Sequence, residues 1–377
     1  MNGAELTVAV RAELEPRRQE LVDLLGRLVR LESPSDDAPS LERFAAELES
    51  LFGELGRLER VGTHRRLTVE GDGEGHAVAL CHYDTVWPLG TLQRVPFSVD
   101  AQGVARGPGC FDMKGGIVVL YFALQALRAH GLRPKHRLDV LFTSDEEVGS
   151  PSSRALIEET ARGAALAYVL ESPLPGGTIK TARKGTGDYL VRITGRAAHA
   201  GVEPQKGISA TGELAHQTLA LHALNDYAVG TTVNVGVVHG GTRPNVVAAE
   251  AEAHVDVRVT TLAEADRIDA AIRGLRPHLP GAQLQIDGGH NRPPMERSAA
   301  MAALFEKART NAAAMGVDLQ EGSTGGGSDG NFTAAMGVPT LDGLGPEGEG
   351  AHAAHEHVIT ESFPRRAALL TGLLVEC

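Results

Sequence analysis

The sequence predicts an α/β domain built on a mixed, largely parallel sheet, interrupted by a smaller inserted α+β domain. Three observations carry that prediction. Through the first half, short apolar runs alternate with amphipathic helical segments, the order expected when helices cover a parallel sheet. From about residue 186 the order becomes β-α-β-β-α-β, the ferredoxin-like split βαβ plan. Behind "NRPP" the earlier alternation resumes. A discontinuous α/β domain over 1–185 and 293–377, with an insertion over 186–292, accounts for all three. A chain of 377 residues is comfortable for two domains.

Taken in order, "LEPRRQELVDLLGRLVRLES" spaces Leu21, Leu24, Leu25, Leu28 and Leu31 at helical period, so an amphipathic helix opens the fold. A charged, Gly-rich stretch follows. "HAVALCHYD" reads as a buried strand ending at His82 to Asp84, and "GGIVVLYFALQALRAHG" as a helix closed by Gly131. "HRLDVLFTSDEEVGS" is a second apolar strand with an acidic cluster just past its end; "AALAYVLESP" repeats the plan with Glu171. In such sheets ligands collect beyond the carboxyl ends of the strands, where His82, Asp84, Glu146, Glu147 and Glu171 all fall. The insertion reads as strand "DYLVRITG", helix "ISATGELAHQTLALHAL", strands "TTVNVGVVHGG" and "EAEAHVDVRV", helix "LAEADRIDAAIRGLRPHL" and strand "AQLQIDGG". A helix near 298–316, the loop "STGGGSDGNF", a strand near "VPTLDGLG" and a last helix complete the chain.

Composition narrows the function. With 36 Lys plus Arg against 48 Asp plus Glu, the formal net charge is -12, which disfavours nucleic acid and anionic membranes as partners. No run approaches the ~18 apolar residues of a membrane span, and the charged N-terminus lacks the apolar core of a signal peptide. Cys81, Cys110 and Cys377 form neither a metal-knuckle spacing nor an even disulfide framework. Buried thiols in a reducing cytoplasm are the expectation.

The chemistry-bearing residues are ordinary one at a time. Asp112 in "GPGCFDMKGG" could cap the next helix, Glu146 and Glu147 could form a solvated acidic turn, and Glu171 and His352 could be incidental. Together they form a mixed nitrogen and oxygen donor set suited to zinc, and to two ions sharing a carboxylate. One ion takes His82 and Glu171, the other Glu147 and His352, with Asp112 between them. Adjacent like charges at 146 and 147 repel, and a cation relieves that repulsion. Asp84 then orients the imidazole of His82, as outer carboxylates commonly do for zinc histidines. Glu146 is left to take a proton from water held at the metal and pass it to a leaving amine.

"HYDTVW", "GPGCFDMKGG", "TSDEEVGS", "YVLES", "GRAAHAG", "DVRV", "TGGGSDG" and "GEGAHAAHEHV" stand in the order seen in the zinc aminoacylase and carboxypeptidase superfamily. The chain resembles most its glutamate carboxypeptidase (carboxypeptidase-G type) branch, over nearly its whole length. The resemblance implies a di-zinc catalytic domain, an inserted lid or dimerisation domain, a homodimer and a cis Asp112–Met113 peptide. It implies two Zn2+ ions per subunit, replaceable by Co2+ or Mn2+. His199 matches a histidine that in relatives reaches the neighbouring subunit's site and stabilises an oxyanion. Arg258 and Asn245 match positions that hold a substrate carboxylate, a task suited to the guanidinium fork. Thr324 and Gly325 match a loop lining the substrate site, while Ser328 and Asp329 are read as structural. His355 and His357 stand as alternatives to His352, and "PLPGGTIKTARKG" departs from the glutamate-specific branch. Whether Lys180, Arg183 or Lys184 meets an acidic side chain therefore stays open.

The expected activity is hydrolysis of an amide bond next to a free α-carboxylate, in an N-acyl amino acid, a dipeptide or a C-terminal glutamate conjugate. The alternatives are a deacylase of the acetylornithine or succinyl-diaminopimelate type and a non-catalytic binding protein on the same scaffold. A dinucleotide-dependent oxidoreductase needs a glycine fingerprint after the first strand, where "CHYDTVWPLG" stands instead.

Overall fold

The computed structural model describes residues 1–377 and divides into two compact units. The first comprises Met1–Ala182, Arg297–Thr324 and Ser328–Cys377; the second comprises Arg183–Glu296 and Gly325–Gly327.

The first unit is built on an eight-stranded sheet. Its strands run, edge to edge, Arg57–Val61, His64–Val69, Arg137–Thr143, His76–His82, Ala167–Val169, Thr340–Asp342, Ile179–Arg183 and Glu321–Thr324. Arg137–Thr143, His76–His82, Ala167–Val169 and Thr340–Asp342 are mutually parallel, and antiparallel pairs flank them. A central parallel strand must be apolar on both faces, which explains "HAVALCH". Its alternate side chains go to opposite cores. Ala77, Ala79 and Cys81 join one with Leu120, Val140 and Phe142; Val78 and Leu80 join the other with Leu141, Ile157 and Phe332. Helix Gly115–Ala129 packs against Arg18–Val29 and Ser362–Glu376. That burial explains its composition. Cys110–Ala129, at 20 residues, is by length and overall composition apolar enough to cross a membrane, yet Asp112, Lys114, Gln125 and Arg128 interrupt its apolar run and 83% of its most apolar window is buried inside the fold.

Several elements differ from the sequence expectation. The chain opens with two helices, Gly3–Leu14 and Arg18–Val29, separated by a turn at Glu15–Arg17 that contains Pro16. Leu31 lies beyond the second. The charged, Gly-rich stretch contains helix Ala38–Phe52, capped by the Asp37 side chain, and the hairpin Arg57–Val61 with His64–Val69, which turns through Gly62 at φ 61. "STGGGSDGNF" is not all loop: it ends strand Glu321–Thr324 and begins helix Gly330–Ala335.

The second unit is a four-stranded antiparallel sheet in the order Thr232–Gly240, Glu250–Val259, Gly185–Thr194, Gln283–Arg292. Helices Ala210–His222 and Leu262–Arg273 cover one face, burying Val191, Ile193, Val255, Val257, Leu221 and Ile268. Its limits lie a few residues outside 186 and 292, because Arg183 and Met295 exchange backbone hydrogen bonds at 3.0 Å each. The Arg183 guanidinium also donates to the carbonyls of Gly326 and Gly327, both at 3.1 Å, which ties the three glycines to this unit.

Candidate metal centre

Five chain segments, bearing His82 and Asp84, Asp112, Glu146 and Glu147, Glu171, and His352, converge at the carboxyl end of the parallel strands in the first unit. His82, at the end of its strand and 2% exposed, directs Nε2 at Asp112 Oδ1 (3.1 Å) and Glu171 Oε1 (3.3 Å). Its Nδ1 lies 3.1 Å from the carbonyl oxygen of Asp84 and 3.4 Å from that residue's Oδ1. The nearer orienting partner is thus the Asp84 main chain rather than its carboxylate. His352 directs Nε2 at Asp112 Oδ2 (3.2 Å) and Glu147 Oε2 (3.0 Å). Asp112 therefore presents one oxygen to each histidine. The Asp112–Met113 peptide is cis.

The donor set is short of positive charge. Burial alone would push the His82 imidazole down, yet hydrogen bonds to Asp112, Asp84 and Glu171 raise it well above its ordinary value. Hydrogen bonds to Asp112 and then Glu147 push His352 up to about 10. Burial raises the Glu147 carboxyl, whereas the two histidines hold Asp112 far below the carboxylate range, against its burial. Glu147 Oε1 is buried with no hydrogen-bond partner, which is costly for a carboxylate oxygen. A site that draws protons onto both imidazoles and strands a carboxylate oxygen fits a cation. His82, Asp112 and Glu147 have donor atoms within 4.8 Å of one another, and so do His82, Glu146 and Glu171.

The local sequence fixes these side chains. Asp84, fully buried, accepts hydrogen bonds from the backbone N–H groups of Glu146 and Glu147 at 3.2 Å each and from Ser35 Oγ at 2.7 Å. One carboxylate so anchors the acidic turn as well as the end of the His82 strand. Asp145 closes the same turn by accepting from Ser152 N and Oγ, both at 2.7 Å, and from Ser153 N at 3.1 Å. His352 has a left-handed backbone, φ 62, next to Gly350 at φ 86. Non-glycine residues seldom adopt that region, histidine more often than most. His355 is exposed, and His357 Nδ1 bonds the His355 carbonyl oxygen at 2.9 Å. Of the three histidines, the geometry brings His352 to Asp112 and Glu147.

The remaining candidates lie elsewhere in the chain. In the second unit His199 and Asn245 are exposed on adjoining segments: Ala200 N donates to the Asn245 carbonyl at 3.0 Å, and His199 pairs with Val246. Arg258 is engaged by its strand neighbour Asp256, with Nη2 to Oδ2 at 2.7 Å. Thr324 ends its strand in the first unit, and Gly325 opens the glycine run of the second with open space where a side chain would begin. Lys180 and Arg183 are buried, the latter on the glycine carbonyls. Ser328 donates to Asp342 at 2.6 Å and Asp329 accepts from Ser150 at 2.5 Å, both inside the fold. Sequence reasoning missed Ser35, Trp87 and Glu356. Each acts through hydrogen bonds to segments far away in the chain, and none carries a local signal.

The fold and this donor set define a metal-dependent hydrolase. Residues 79–376 match the model of Peptidase family M20/M25/M40, and the chain belongs to that family. It is 31% identical to carboxypeptidase G2 of Pseudomonas sp. (strain RS-16), across 94% of this chain and 89% of that protein. It is 27% identical to a succinyl-diaminopimelate desuccinylase of Thioalkalivibrio sulfidiphilus, across 94% and 98%. Its fold is similar to that of aminopeptidase PepT from Bacillus cereus, with a TM-score of 0.78 at 24% identity over 95% of this chain and 98% of that one.

Proposed function

We propose that the protein is a two-zinc amidohydrolase of carboxypeptidase type that cleaves an amide bond next to a free α-carboxylate, releasing a C-terminal glutamate or a similar amino acid. The observation that carries this reading is Asp112, whose two oxygens face His82 and His352 separately. His82 and Glu171 would hold one ion and Glu147 and His352 the other, with Asp112 shared between them. Bound there, zinc supplies Lewis acidity and brings the pKa of a water toward neutrality. Glu146 accepts the proton of the attacking water and delivers it to the nitrogen as the C–N bond breaks. Asp84 keeps Glu146 in place through the backbone of its turn. His199 of one protomer reaches the site of the neighbouring protomer and donates to the carbonyl oxygen there as it gains negative charge. Arg258 and Asn245 hold the substrate carboxylate, for which Arg258 must exchange Asp256, and Thr324 and Gly325 line the bound chain.

The same reading makes the protein a homodimer joined through the inserted unit, and its three free, buried cysteines suit a reducing cytoplasm. Similarity to a desuccinylase over nearly the whole chain supports a second reading, an N-acyl amino acid deacylase. Hydrolysis of a folate-type glutamate conjugate, dipeptides, N-acetyl amino acids, acetylornithine and succinyl-diaminopimelate, each with zinc and with chelator, separates the two. Chelator-sensitive release of C-terminal glutamate is expected. Cleavage confined to acetylornithine or succinyl-diaminopimelate would replace the first reading by the second.

A further inference from the structure

Glu356 lies four residues beyond His352, and its carboxylate is almost wholly buried, with 3% of the residue exposed. Four N–H groups converge on it. Gly109 N and the Trp87 indole Nε1 donate to Oε2, both at 2.8 Å, and Phe111 N and Asp112 N donate to Oε1 at 2.9 and 3.0 Å. Three of the donors are peptide groups of the turn that carries Asp112. The fourth belongs to the loop that leaves Asp84. Lys114, the buried cation two residues after Asp112, sends its Nζ to the Leu31 carbonyl at 2.8 Å instead. One carboxylate therefore joins the segments bearing Asp84, Asp112 and His352, and it does so by accepting hydrogen bonds at both oxygens.

We infer that Glu356 is a positioning residue of the metal centre: it fixes the Asp112 turn so that the two oxygens of Asp112 meet both histidines, and so sets the affinity for metal. The inference rests on the metal assignment above. Asp112 reaches His82 and His352 at 3.1 and 3.2 Å, and its own N–H is one of the Glu356 donors. A shift of the turn thus displaces both contacts together. An amide at 356 has one acceptor oxygen and must set its NH2 against a pair of N–H donors. Outer partners that orient metal-binding carboxylates and histidines commonly control metal affinity by ~10–100-fold.

The test uses the full chain in two variants, Glu356→Gln and Trp87→Phe, with zinc affinity read by competition against a chromophoric chelator. The visible spectrum of the Co2+-loaded protein and the melting temperature of the chelator-treated protein are recorded beside it. Glu356→Gln is expected to weaken zinc binding by ~10–100-fold and to alter the Co2+ spectrum, with the metal-free melting temperature moving little. Trp87→Phe, which removes one of the four donors, moves affinity and spectrum the same way by less, and decides the matter if the Gln variant fails to fold. Wild-type zinc affinity and an unchanged Co2+ spectrum in the variants that fold would overturn the positioning role, even if their metal-free melting temperatures fell. A wild-type protein that took up no zinc would instead overturn the metal assignment, and this inference with it.

Discussion

His82 and His352 sit among carboxylates that raise both imidazoles, and His352, pushed up to about 10, holds a proton at neutral pH in the metal-free protein. A raised folded pKa contributes stability that is complete below the ordinary histidine value of about 6.5 and is lost as pH climbs through the folded value. For His352 that window closes near pH 10, following its shift to about 10. The melting temperature of chelator-treated protein should therefore fall between pH 7 and 10. Zinc must displace the His352 proton, so zinc affinity should rise over the same range. A metal-free melting temperature that climbs with pH would contradict a protonated His352. Glu146→Gln should keep zinc and lower turnover by ~10²–10⁴-fold, the usual share of a general base; near wild-type turnover would remove Glu146 from that role. Residue types at strand ends were legible because metal ligands come from a short list of side chains, of which His, Asp and Glu stand at those ends. Glu356 was not, because its partner Asp112 lies 244 residues away. His352 was legible as a ligand with His355 and His357 as alternatives; what separates them is the fold of their loop, which brings His352 to Asp112 and Glu147.

Strands and helices bring these side chains together through a few close approaches. Helix Gly115–Ala129 starts directly after the Asp112 turn, and a Cβ on Gly116 would lie 1.9 Å from the Leu170 carbonyl oxygen, next to Glu171. Backbone cannot yield as a side chain can. Gly116→Ala should cost about 1–3 kcal/mol of stability and weaken zinc binding by separating the Asp112 turn from Glu171. Equilibrium denaturation of metal-free protein, paired with the chelator competition, checks both effects; unchanged values in both would show that the helix can move freely there. Apolar continuity made the central strands readable, and it made this helix readable too. Helix Ala38–Phe52 carries Leu41, Phe44, Ala45, Leu48 and Phe52 at helical spacing, but its charged outer face hides among the charges around it. Strand Glu321–Thr324 is four residues of polar and small side chains, whose pairing comes from the sheet edge rather than from a pattern of its own.

The two compact units follow from two unlike hydrophobic patterns in one chain. The switch to β-α-β-β-α-β order is legible because period and element order change together. Its limits are not legible to the residue, because the Arg183–Met295 pairing and the glycine carbonyls on Arg183 depend on tertiary contacts. In the second unit, strand Thr232–Gly240 lies at a sheet edge with Val237 and Val238 about half exposed, at 49% and 54%. An uncovered apolar edge strand invites pairing with another chain. If the proposed homodimer uses this edge, Val238→Lys should shift sedimentation from dimer to monomer at micromolar concentration; a variant that stays dimeric would move the interface elsewhere.

The most direct test of the metal centre is a zinc titration of chelator-stripped protein, following hydrolysis of a folate-type glutamate conjugate. The proposed two-ion site predicts no turnover without metal and full turnover at two equivalents of zinc per chain. Turnover that survives complete removal of metal, or that is complete at one equivalent with no second ion bound, would contradict it.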